Sequence, residues 1–137
     1  MEATRRTING VEFEFNHLSV RILNRLLVRI AKIAGEPLAD AIDDKILKTV
    51  RTDMEAAKKQ VNIKAIVKSL ATSLDEDVVD QLITDLLQGT ICVGVGPLTY
   101  NFEKAFNGDV GFMWKVVYTA FTVYYGTFLA DGLDSLN

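Results

Sequence analysis

Only one cysteine (Cys92), one histidine (His17) and two prolines occur in the 137 residues, and each scarcity removes a class of protein. A lone cysteine cannot close an internal disulfide, so a reducing compartment fits the chain better than secretion. Cysteine and histidine together supply two ligands where a structural zinc site takes about four. With no serine in a Gly-x-Ser-x-Gly setting and a single possible Cys/His pair, the residues for nucleophilic hydrolysis are missing. Two prolines, with 49% hydrophobic and 24% charged residues, exclude a disordered chain and suit one compact domain over 1–137. Met1–Thr7 lacks the apolar run of a signal peptide, and no Asn-x-Ser/Thr acceptor occurs.

Charge is small in total but uneven in place. The net −3 is divided between residues 1–68, with thirteen Lys/Arg against nine Asp/Glu, and residues 69–137, with two against nine. The two balances, +4 and −7, neutralise each other if the halves fold together, and otherwise steer a partner or head-to-tail association.

The expected fold is mainly α: a β-hairpin over 4–15, then a helical body over 18–131 of about five to six helices, with a long aromatic C-terminal helix in the core. Asn9-Gly10 lies between Arg5–Ile8 and the alternating Val11-Glu12-Phe13-Glu14-Phe15, a strong hairpin signal because both turn residues tolerate positive φ. Ile22, Leu23, Leu26, Leu27, Ile30, Ile33 and Ala34 recur at helical spacing, with Ser19 to cap the first helix and Gly35 to end it. Pro37 suits the first turn of a second helix whose stripe is Leu38, Ala41, Ile42, Ile46, Val50 and Met54. Asn62 is placed to cap a third through Ile63, Ile66, Val67, Leu70 and Ala71. Asp75, or Ser73 with Glu76, is placed to cap a fourth from Val78 to Leu87, closed by Gly89. Thr90–Val93 reads as a short strand or extended link that can join the hairpin. Gly94–Pro97 then forms a turn, Leu98–Phe106 a short helix stopped at Asn107-Gly108, and Asp109 caps the last helix.

Three features invite chemistry and have plainer readings. Arg21, Arg25, Arg29 and Lys32 share the polar side of the first helix, with no acid from Leu18 to Ala34. No aromatic interleaves them and the chain is acidic overall, so a solvated or acid-paired face explains them better than nucleic acid does. Asp75, Glu76, Asp77 and Asp80 crowd a helix start, where the dipole favours negative charge, and no calcium-loop glycine accompanies them. Gly94-Val95-Gly96-Pro97 lacks the Gly-Lys-Ser/Thr of a phosphate loop.

The last quarter carries the functional question. From Val110 to Ala130 the only ionisable side chain besides tyrosine is Lys115, and those twenty-one residues would span roughly 30 Å at about 1.5 Å each. Length alone therefore permits a membrane span over 110–130. Around the wheel, however, Lys115, Thr119, Thr122 and Gly126 form a narrow polar or small stripe, Val117, Phe121, Tyr124 and Phe128 lie opposite, and Trp114 and Tyr125 border the aromatic face. This pattern, rich in hydroxyls, predicts a helix wrapped by protein rather than by lipid.

The block Phe102-x-x-x-Phe106-Asn107-Gly108-x-x-Gly111-x-x-x-x-Val116-Val117-x-x-Ala120-Phe121-x-Val123-x-Tyr125-Gly126-x-Phe128, after Leu26-Leu27-x-x-Ile30-x-x-Ile33-x-Gly35 and the acidic Leu74-Asp75-Glu76-Asp77, resembles the small tail assembly chaperones of long-tailed bacteriophages. Tyr124 departs from the pattern, standing where Asn is expected. The resemblance implies a non-enzymatic helper without cofactor or metal, made in the cytoplasm of the infected bacterial host and not expected in the mature virion. It implies that the chain coats the tape measure protein, keeps it soluble and helps recruit tail tube protein. It also implies a short form beside a frameshift-extended one, this chain matching the short one. Partner contacts are expected at Trp114, Phe121, Tyr125 and Phe128 and at Arg21, Arg25 and Arg29, with a homo-oligomer possible and neither nucleic acid nor membrane involved. The alternatives are a structural virion component or oligomeric α-helical adaptor, and a membrane-associated protein.

Overall fold

The computed structural model describes residues 3–33, 55–73 and 75–131, with side chains described for 3–33, 63–73 and 75–126. Its first element is the hairpin of β1 (Thr4–Ile8) and β2 (Val11–Phe15). Asn9 and Gly10 both take positive φ, 52° and 78°, the tight turn whose twist matches paired strands. Helix α1 (Val20–Ile33) follows, starting where Ser19 Oγ accepts the Ile22 amide at 3.2 Å. Helices α2 (Glu55–Ala71) and α3 (Glu76–Leu86), the short strands β3 (Thr90–Cys92) and β4 (Gly96–Pro97), α4 (Leu98–Phe106) and α5 (Val110–Asp131) complete the described order.

The four strands form one antiparallel sheet in the order β1-β2-β3-β4. The mainly α expectation is therefore corrected to an α+β fold: a four-stranded sheet, with five helices among the described residues. The hairpin is half of a sheet whose second half comes from the far end of the chain, through Phe13 opposite Cys92, Glu14 opposite Ile91 and Phe15 opposite Thr90. Strands of three and two residues are too short to show periodicity, and Pro97 donates no ladder bond, so local pattern understates the sheet.

One helix boundary differs from expectation. Asn62 lies within α2 rather than at its start, because Glu55–Gln60 are good helix formers with no breaker before Asn62. Helix α3 is capped by Asp75, whose carboxylate accepts the Val78 amide at 3.3 Å. The predicted Gly35 stop and the Leu38–Met54 helix lie outside the described residues.

Helix α5 and the sheet make the core together. Phe13 from β2 stacks on Phe106 of α4 at 6.3 Å and meets Phe112 of α5 edge-on at 5.6 Å, while Phe106 and Phe112 close the triangle at 5.5 Å. Such offset and edge-on pairs add about 0.5–1.5 kcal/mol each beyond area burial. Farther along α5, Val116, Val117, Ala120 and Phe121 are fully buried, and the helix packs against α2 and α3. Asp109 starts α5 by accepting the Phe112 amide at 3.0 Å. At the end of the β2/β3 ladder, Gly89 admits the Asn16 backbone: a Cβ there would stand 3.3 Å from the Asn16 carbonyl oxygen and 3.1 Å from Leu18 Cδ2. Asn16 uses that closeness, its backbone amide and side-chain amide both donating to the Gly89 carbonyl.

Candidate partner-binding surface

The aromatic residues of α5 divide between core and surface. Phe121 is 0% exposed and Tyr125 4%. Their rings lie 5.0 Å apart, and the Tyr125 hydroxyl donates to the Leu23 carbonyl at 2.8 Å. Both side chains are spent on this chain's own interior, and no partner reaches them without opening it. Phe128 belongs to α5, and its side chain lies outside the described residues.

Trp114 is only half-buried and reaches an open groove of about 500 Å3. One wall is the end of β1 and its turn, Thr7 to Asn9; the other is the α5 face of Gly111, Trp114, Lys115, Tyr118 and Thr119. Three- and four-residue spacing places those five on one side of the helix. Lys115 Nζ donates to Asn9 Oδ1 at 3.0 Å, fastening the turn to the helix. Thr119 and Thr122 return their hydroxyls to the carbonyls of Lys115 and Tyr118, so the two threonines of the stripe are satisfied within the helix. Tyr118 was not among the residues singled out from sequence. Its only local signal is that it follows Trp114 by one helical turn.

The arginines of α1 likewise part company. Arg29 Nη1 meets Asp85 Oδ2 of α3 at 2.6 Å, and Gln81 Nε2 donates to the other Asp85 oxygen at 3.1 Å. Arg29 therefore ties α1 to α3. Arg21 and Arg25 are exposed, share a face with half-exposed Val28 and with Lys32, and form no ion pair among the described residues. A small crevice between α1 and α3, lined by Ile22, Arg25, Leu26, Arg29, Asp85 and Gln88, runs beside that face.

Among the described residues, no three His, Cys, Asp or Glu side chains cluster as metal ligands. Cys92, the last residue of β3, is buried, which pushes its thiol pKa up and leaves the thiolate disfavoured. No described helix is long and apolar enough to cross a membrane.

No match was found among curated proteins or among solved structures. A family model described as phage tail assembly chaperone protein, TAC, matches residues 9–136, from the hairpin turn through the aromatic helix. With nearly its whole length covered, the chain belongs to the phage tail assembly chaperone family.

Proposed function

We propose that this protein binds the tape measure protein during tail assembly, keeps it soluble and helps recruit tail tube subunits, without catalysis and without a cofactor. It acts in the cytoplasm of the infected host and leaves before the virion is complete. The observation that carries this reading is the family match over residues 9–136.

Two accessible surfaces support it. The α1 face of Arg21, Arg25, Val28 and Lys32 offers cations around an apolar residue, which suits an amphipathic helix with acidic flanks. The groove at Trp114 offers aromatic area beside Lys115. Phe121, Tyr125 and Arg29 act behind these surfaces by holding α5 and α3 in place.

Co-expression with the tape measure protein of the same phage tests the reading. The expected result is co-purification and a raised soluble yield, weakened by the double variant Arg21→Glu/Arg25→Glu and by added salt. Failure to co-purify at low salt would sink it.

A further inference from the structure

We infer that the crevice between α3 and α4 is an anchoring point for a single arginine side chain projecting from a partner protein. The inference goes beyond the tape measure reading and does not rest on it.

The crevice is small and has two walls. Asp80, Thr84 and Leu87 line it from α3 and its C-cap, where spacings of four and three residues put them on one side of the helix. Thr99, Phe102 and Glu103 line it from α4, with Leu98 at the base. The enclosed volume is about 240 Å3. That lies below the roughly 300–1,000 Å3 of pockets that enclose whole small molecules, and it suits one long side chain. Its floor is apolar: Leu87 and Leu98 are each 1% exposed. Phe102, held edge-on to Phe106 at 4.9 Å, is half-buried and brings its ring to the crevice.

The polar side chains around this floor offer acceptors alone. Thr84 donates its hydroxyl proton to the Asp80 carbonyl at 3.0 Å, and Thr99 donates to the Gln88 carbonyl at 3.3 Å. A carbonyl cannot donate, so these partners fix where the two protons go and leave the hydroxyls only lone pairs to present. Asp80 and Glu103 add one exposed carboxylate to each wall, and neither forms an ion pair among the described residues. No cation lines the crevice, and Glu76 and Asp77 in the first turn of α3 carry the same sign. The carbonyl end of α3 and the amide end of α4 both border the site, so their dipoles offset each other.

Acceptors above an apolar floor call for a donor-only group on an aliphatic stem, which among side chains means Lys or Arg. Arginine fits better. Its planar fork of five donors can reach both walls at once and stack on the Phe102 ring, where an ammonium is a compact point charge. A divalent cation would want six or more oxygens, and among the described residues no third acid joins the pair.

The test titrates capped Ala-Arg-Ala, Ala-citrulline-Ala and Ala-Lys-Ala peptides into the isotopically labelled full chain and follows backbone amide NMR shifts. The arginine peptide is expected to give saturable shifts centred on Thr84, Thr99 and Phe102, weakened by added salt. Citrulline keeps the shape without the charge and is expected to bind at least about fivefold more weakly, and lysine at least about twofold more weakly. The double variant Asp80→Asn/Glu103→Gln changes two exposed side chains and is expected to weaken arginine binding at least about fivefold. Phe102→Leu keeps an apolar floor without the π face and is expected to weaken it about two- to fivefold. Absence of saturable shifts, shifts centred on Glu76 and Asp77 instead, or equal binding of the citrulline or lysine peptide overturns the inference. So does undiminished binding by the folded double variant. Shifts of Thr84 and Thr99 that follow protein concentration without peptide would give the crevice to a second copy of this chain, and overturn the inference too.

Discussion

The Tyr125 hydroxyl donates to the Leu23 carbonyl at 2.8 Å, joining the C-terminal third of α5 to the first turn of α1. The neighbouring Tyr124 donates to the Asn16 carbonyl at 2.7 Å, so adjacent residues grip both sides of the link between sheet and helix. Tyr125→Phe keeps the ring and removes one hydrogen bond between the helices, and is expected to cost about 1 kcal/mol. Tyr124→Phe, only half-buried, costs less because water can reach the carbonyl. Urea midpoints at unchanged slope would check both.

The same tyrosines set an alkaline limit. Burial pushes the Tyr124 hydroxyl from 10.0 up to about 12. Tyr125 is raised as well, by burial first and by Tyr124 second. A folded pKa above the unfolded one means that the native state holds protons the unfolded chain releases. These groups' contribution is therefore complete below pH 10 and is lost as pH rises from there toward 12. Urea midpoints should fall in that window, and the fall should shrink in Tyr124→Phe/Tyr125→Phe.

Arg29 and Arg25 separate structure from surface on one helix. Arg29→Ala breaks a partly exposed pair with Asp85 and is expected to cost about 0.5–1 kcal/mol, less at high salt. Arg25→Ala, with no ion pair among the described residues, should fall within about 0.5 kcal/mol of the unaltered protein. Thermal melts at low and high ionic strength would compare them.

Thr90 is fully buried at the β3 position opposite Phe15, and its hydroxyl finds no hydrogen-bond partner among the described residues. It stands near Tyr124, but the Tyr124 proton goes to Asn16 instead. Thr90→Val removes the orphaned hydroxyl while keeping the shape, and is expected to be neutral or to stabilise by about 1 kcal/mol. A drop in melting temperature of several degrees would contradict this account.

Legibility followed the range of the interaction. The Asn9-Gly10 hairpin, the Ser19 and Asp109 caps and the stripe of α1 are read from residues within a few positions of each other, and the structure contains them. The strand Thr90–Cys92 was visible as an extended segment, but the four-stranded sheet that makes the fold α+β depends on Phe15 meeting Thr90. Accessibility was legible only in part: Trp114, Arg21 and Arg25 are accessible as expected, whereas Tyr118 and Thr7 were not singled out from sequence. Phe121 and Tyr125 look the same in sequence as Trp114, because hydrophobicity and spacing describe which face of a helix is apolar but not what covers it.

By itself, the sequence determined the local elements, the shortage of catalytic and metal-binding residues, and the family, through the block from Phe102 to Phe128 that the family model includes. Those properties are written in neighbours along the chain. Only tertiary structure decided that the Tyr125 hydroxyl serves Leu23, that Arg29 is taken by Asp85, and that Trp114 is left half-open beside the end of β1. Each of these depends on which distant segment packs on a shared surface, and burial is set by that contact rather than by the residue.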